Sequence, residues 1–191
     1  QDSNDPAYYS GWMVCWRKNN TLRGSIGILD VNNNSRYLWE PGKDTAIKDK
    51  WVHVAIVYND KGLDERDNRA RIYIDGNDSG LIRIGEQERV YNSNQATANS
   101  IRMTAFVQYL GTKKMGATSG YMKDLCIWKT NKSASEIKAM YNGTYSLDVT
   151  ESDLVCAWDF KTKPSDGINI PDLTGRHTAK LVGTHQWVAA E

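Results

Sequence analysis

Phenylalanine is nearly missing from this 191-residue chain, which has two, against seven tryptophans and ten tyrosines. Its aromatic content therefore rests on side chains that join an apolar body to a polar edge. Most of them fall in strand-like runs, where core packing is the first use to expect and stacking on sugar rings the second. Histidine is also scarce. His53, His177 and His185 are the only three, and no Gly-x-Ser-x-Gly elbow accompanies them, so no nucleophilic triad can be assembled. His53 lies in a strand-like run and reads as a hydrogen-bonded core residue. Cysteine stops at three, Cys15, Cys126 and Cys156, with no CxxC and no metal-ligand spacing. Their apolar surroundings suit free thiols acting as small hydrophobes, and a disulfide between two of them stays open. No apolar run approaches the ~20 residues of a membrane helix, which argues against membrane insertion. Neither sign of charge dominates, with 24 Lys and Arg against 23 Asp and Glu. A chain without a basic surplus or a Lys/Arg block has little to drive counterion release from nucleic acid. It opens on Gln1 without a signal-like apolar stretch, as a mature or excised fragment would.

What is present is a succession of short strand patterns. The chain centres on Trp51 to Gly76. Trp51-Val52-His53-Val54-Ala55-Ile56-Val57-Tyr58 is rich in β-branched and aromatic residues and apolar on both faces, as in a strand covered on two sides. After the polar loop 59–68 comes Arg71-Ile72-Tyr73-Ile74, and then Asp75-Gly76, a tight-turn pair. Upstream, residues 1–10 form a flexible lead-in, and strands are expected over 11–17, 25–31 and 36–39. Downstream, strands are expected over 80–84, 101–110, 121–128, 152–160, 178–182 and 185–188. Loops are expected over 85–100 and 113–120, and turns at 164–167 and 172–175. One helix stands out, at about 133–142. Ser133-Ala134-Ser135-Glu136 is a capping box, Ile137, Met140 and Tyr141 form an apolar stripe, and Asn142-Gly143 stops it. About ten short strands and one short helix predict an all-β sandwich in a single domain spanning 11–191.

Two of these stretches carry a resemblance. Trp51-Val52-His53-Val54-Ala55 with Tyr58, followed by Arg71 to Gly76, resembles the central hairpin of laminin-G-like domains in the concanavalin-A-like lectin/glucanase superfamily. Gly120 to Trp128 with Ser133 to Tyr141 resembles that family's closing strand and short helix. Leu154 to Phe160 with Asp172-Leu173-Thr174-Gly175 is similar to a strand-plus-turn unit that accompanies such domains in secreted bacterial proteins. The resemblance implies an antiparallel two-sheet jelly roll and an extracytoplasmic setting: secreted, periplasmic or at the bacterial cell surface. It also exposes a departure. The family places a further strand or two before the position of Trp12, so the module is expected to lack N-terminal strands or to be part of a longer parent.

For function, the resemblance implies a non-catalytic, lectin-like module that binds a glycan or polysaccharide. Rings would stack on sugars while polar side chains bond to hydroxyls. Tyr37 and Trp39, with Arg36 and Asp44 nearby, are the first candidates; Tyr91 and Tyr109 are the second. A structural or interaction module supporting adjacent domains is the alternative. Glycoside hydrolysis ranks last. It needs two carboxyls ~5 Å or ~6.5–9.5 Å apart, which the superfamily's glucanases supply from a Glu-x-Asp-x-x-Glu strand. Here the nearest acidic cluster, Asp64-Glu65-Arg66-Asp67, sits in a loop without alternation, and Asp124 stands alone. No catalytic residue is assigned. No cofactor is assigned; calcium, which some laminin-G-like domains hold through loop oxygens, is left open with no ligands assigned.

Overall fold

The computed structural model describes residues 11–16, 22–27, 37–41, 50–58, 70–84, 105, 107–110, 113–117 and 120–188, with side chains described over 50–57, 71–80, 105 and 120–188. Among them the chain forms antiparallel ladders and one short helix. They divide into two compact units. The first comprises Gln1–Thr118 with Lys132–Tyr145, and the second Ser119–Asn131 with Ser146–Glu191.

Among the described residues the first unit holds three sheets. β1 (Gly11–Trp16), β2 (Leu22–Gly27), β3 (Tyr37–Pro41) and β7 (Leu81–Ile84) make a four-stranded sheet in that order. β4 (Val54–Tyr58), β5 (Ala70–Ile74) and β6 (Asn77–Asp78) make a second sheet. β8 (Val107–Leu110) and β9 (Lys113–Ala117) make a hairpin. β4 pairs with β5 as Val54↔Ile74 and Ile56↔Ile72, so the β-branched run aligns with the alternating one. Asp75 and Gly76 then turn the chain with φ of 51° and 71°, positive at both central residues as a type I′ hairpin demands. Asp75 also closes the sheet end. Its N–H donates to the His53 carbonyl at 2.9 Å, and its carboxylate accepts the His53 N–H at 3.0 Å. Ile72 is fully buried and Tyr73 nearly so.

Helix α1 (Ala134–Tyr141) belongs to this unit and begins as its capping box predicts. Ser133 Oγ accepts the Glu136 N–H at 3.2 Å, and a Glu136 carboxylate oxygen accepts the Ser133 N–H at 2.7 Å. The Ser133 hydroxyl also lies 2.7 Å from that carboxylate oxygen, and its bond, with that of the Ser133 N–H, holds the Glu136 carboxyl below its usual pKa. The helix buries Ile137 completely but leaves Tyr141 exposed, so the apolar stripe narrows to one strongly buried residue.

The second unit is built from β10 (Leu125–Trp128), β11 (Leu154–Trp158), β12 (Asn169–Pro171) and β13 (Thr178–Lys180). β10 pairs antiparallel with β11, and β12 with β13. Cys156, Trp158 and Ile170 form its core, against which Leu125, Ile127, Val155, Phe160, Ala179, Leu181 and Trp187 pack. The Trp158 indole N–H donates to the Ile170 carbonyl at 3.0 Å, so the ring's polar edge is satisfied where its body is buried.

Several boundaries differ from the sequence expectation. Residues 113–117 are a strand, because β8 supplies a ladder that local propensity does not reveal. The strand expected over 121–128 starts only at Leu125, after Asp124 takes a left-handed φ of 50°. Residues 185–188 form no strand, and β6 and β12 are additional short ones. The lead-in 1–10, the loop 59–68 and the loop 85–100 lie outside the described residues.

Candidate functional site

Of the six residues singled out for sugar contact, Tyr37 and Trp39 lie on β3. They stand two positions apart on one strand of the four-stranded sheet. Trp39 is opposite Gly24 on β2 and Arg83 on β7, and Tyr37 is opposite Ile26. One neighbour of Trp39 therefore has no side chain, and the other is a guanidinium-bearing residue. Tyr109 lies on β8, opposite Lys114, in a separate ladder. Arg36, Asp44 and Tyr91 lie outside the described residues.

A second cluster forms where α1 covers the β5–β6 turn. Gly76 lies so close beneath the helix that a Cβ there would stand 2.8 Å from Lys138 Cδ and 2.9 Å from Tyr141 Cβ. Lys138 Nζ donates to Asn77 Oδ1 at 3.0 Å and reaches toward the Asp75 carbonyl at 3.5 Å. The same ammonium stands 5.0 Å from the Tyr141 ring centroid, within cation–π range. The His53 ring lies 6.0 Å from Tyr141, tilted at 52°. Burial lowers the His53 pKa while the Asp75 carboxylate pulls it back up, and Nδ1 is buried with no hydrogen-bond partner. Trp51, two residues before His53, is 54% exposed, and Tyr141 is 45% exposed. The sequence places Tyr141 in the apolar stripe of the helix and His53 among hydrogen-bonded core residues of a strand. The signal it lacked was the approach of α1 to the turn, a contact between residues more than sixty positions apart.

Acidic groups in the second unit serve turns. Asp172 is buried, and its carboxylate accepts the Thr174 hydroxyl at 2.6 Å and the His177 N–H at 3.1 Å. Burial works to raise its pKa, but these bonds outweigh it and the net shift is downward. Asp166 accepts the N–H groups of Ile168 and Asn169 and the Asn169 amide, which lower its pKa. Among the described residues no group of three or more His, Cys, Asp or Glu side chains is placed to hold a metal ion, and no helix is long and apolar enough to cross a membrane.

The family model described as Laminin_G_3, concanavalin A-like lectin/glucanases superfamily, matches residues 2–138. Comparison with curated proteins and with solved structures gave no match.

Proposed function

The chain belongs to the laminin-G-like branch of the concanavalin A-like lectin/glucanases superfamily, an all-β sandwich class, and from that we propose that it is a non-catalytic glycan-binding module. The observation that carries this reading is the family match, which covers every residue assigned to sugar contact. Two further features support it. Tyr37 and Trp39 stand two positions apart on β3 of a four-stranded sheet, with Gly24 at the register position opposite Trp39. The aromatic set is Trp and Tyr almost to the exclusion of Phe, the pair that can both stack and hydrogen-bond.

In this reading Trp39 and Tyr37 supply stacking surfaces, Arg36 and Asp44 hydrogen-bond to hydroxyls, and Tyr91 and Tyr109 extend the contact. The partner is a glycan or polysaccharide, met outside the cytoplasm. No step of bond cleavage is assigned, although the superfamily includes glycoside hydrolases. Calcium enters as a variable of the assay.

A glycan array screened with and without calcium tests the proposal. Trp39→Ala should weaken the strongest hit by about 2 kcal/mol, roughly 30-fold in Kd, as loss of an aromatic hot spot does. An unchanged array signal in that variant would remove the site from β3. Silence in both calcium conditions from folded protein would favour a module that supports neighbouring domains instead.

A further inference from the structure

The family match ends at residue 138, inside α1, but a ladder within the second unit crosses that boundary. β10 lies inside the match, and its partner β11 lies beyond it. Leu125 faces Trp158, Cys126 faces Ala157 and Ile127 faces Cys156. Four of the five β11 residues are buried: Leu154, Cys156, Ala157 and Trp158. Leu125 and Ile127 pack on a core whose buried members, Cys156, Trp158 and Ile170, all come from after residue 146. Polar contacts follow the same division. The Lys129 N–H donates to the Asp153 carbonyl at 2.8 Å, and the Trp128 indole donates to Glu151 at 3.3 Å. The segment after 146 is braced within itself. The Leu173 N–H donates to the Ala157 carbonyl at 2.8 Å, and the Arg176 guanidinium bonds to the Leu154 carbonyl.

We propose that residues 146–188 are a strand-complementing segment: β10 is an acceptor strand inside the family region, and its occupant is this chain's own C-terminal segment, docked in cis. Two physical reasons carry this. A strand stripped of its neighbour presents unpaired N–H and C=O groups, an edge that invites pairing with another chain. Leu125 and Ile127 would also return to water if the Cys156–Trp158–Ile170 cluster left. Residues 119–131 supply only four strand residues and cannot bury themselves. The folded unit therefore extends to at least Trp187, which packs on its core, well beyond the family boundary at 138.

The test keeps the whole chain. A specific protease site is placed between Tyr145 and Ser146, the protein is purified intact, then cleaved without denaturant and run on a sizing column. The C-terminal fragment should co-elute with the remainder. Ile127→Asp, which puts a carboxylate opposite Cys156, should release it, and the exposed-site control Lys123→Asp should not. Separation of the wild-type fragments with the remainder still folded by circular dichroism would overturn the proposal. So would retention of the fragment by Ile127→Asp. Amide exchange on the uncut chain gives an independent reading. Leu154→Asp should deprotect β10 together with β11 and leave β4 and β5 protected, and persistence of protection in β10 would also overturn it.

Discussion

His53 holds a buried ring nitrogen without a partner, and that fixes its preferred charge. Protonation would place a second N–H in a site where the ring nitrogen Nδ1 finds no partner. Asp75 pulls the other way, but burial is the larger influence and the pKa falls below 6.5. Folding therefore favours the neutral ring. The unfolded chain takes up a proton as pH drops through about 6.5, and the native chain resists until its own lower pKa, so stability declines toward acid over that interval. The hydrogen-bonded carboxylates Glu136, Asp166 and Asp172 contribute in a separate, lower window, above their unfolded pKa values and lost beneath them. Melting temperature measured from pH 7.5 to pH 5 should fall in the wild type and flatten in His53→Gln, which keeps a polar side chain without the titration. Equal slopes would show that His53 is not the group responsible. Two of the three cysteines, Cys126 and Cys156, belong to the same scale. Cys126 shares a face with Ala157, and Cys156 shares the other face with Ile127, so the two thiols point to opposite sides of the ladder. Both are free, with burial pushing Cys126 up to about 11 and raising Cys156.

At the scale of elements, the turn and the helix depend on each other. Asp75-Gly76 is tight because both residues take positive φ, and the helix comes down on the position where no Cβ exists. Gly76→Ala should destabilise the protein by more than the ~1–2 kcal/mol of a left-handed alanine, because its methyl also meets Lys138 and Tyr141. Ser133→Ala, which removes one half of the capping box, should cost about 1 kcal/mol. Urea denaturation of the two variants measures the difference, and a Gly76→Ala loss no larger than that of Ser133→Ala would mean the helix yields to the methyl. Both features were legible in the sequence because each is local: a capping box spans four residues and a type I′ turn two. β9 was not. Lys113-Lys114-Met115-Gly116-Ala117 has weak strand propensity, and its ladder with β8 decides its state. β12 was missed for a related reason, since only Ile170 of its three residues is buried. The cluster around Lys138 was illegible altogether. It joins His53, residues 75–77 and residues 138–141, and no periodicity in one stretch announces a contact among three.

For the molecule as a whole, charge separates the kinds of glycan it could take. Positive and negative side chains nearly cancel, leaving a formal net charge of +1. Long-range attraction to a polyanion needs a surplus that this chain lacks, so affinity should come from short-range stacking and hydrogen bonds. Such contacts respond little to salt. Exposed ion pairs, by contrast, are screened over a Debye length that shrinks from about 10 Å at 0.1 M to about 3 Å at 1 M. Binding to the best glycan-array ligand, followed by calorimetry in low and high sodium chloride, should change by no more than about threefold across that range if uncharged sugar faces are what Trp39 and Tyr37 meet. A loss of about tenfold or more would mean that several cationic side chains act together on an acidic polysaccharide. Arg36 and Arg83 would be the first to replace, because one precedes Tyr37 in the chain and the other stands opposite Trp39 in the sheet. The salt response thus fixes the ligand's charge class even before its structure is known, and it does so without disturbing the fold.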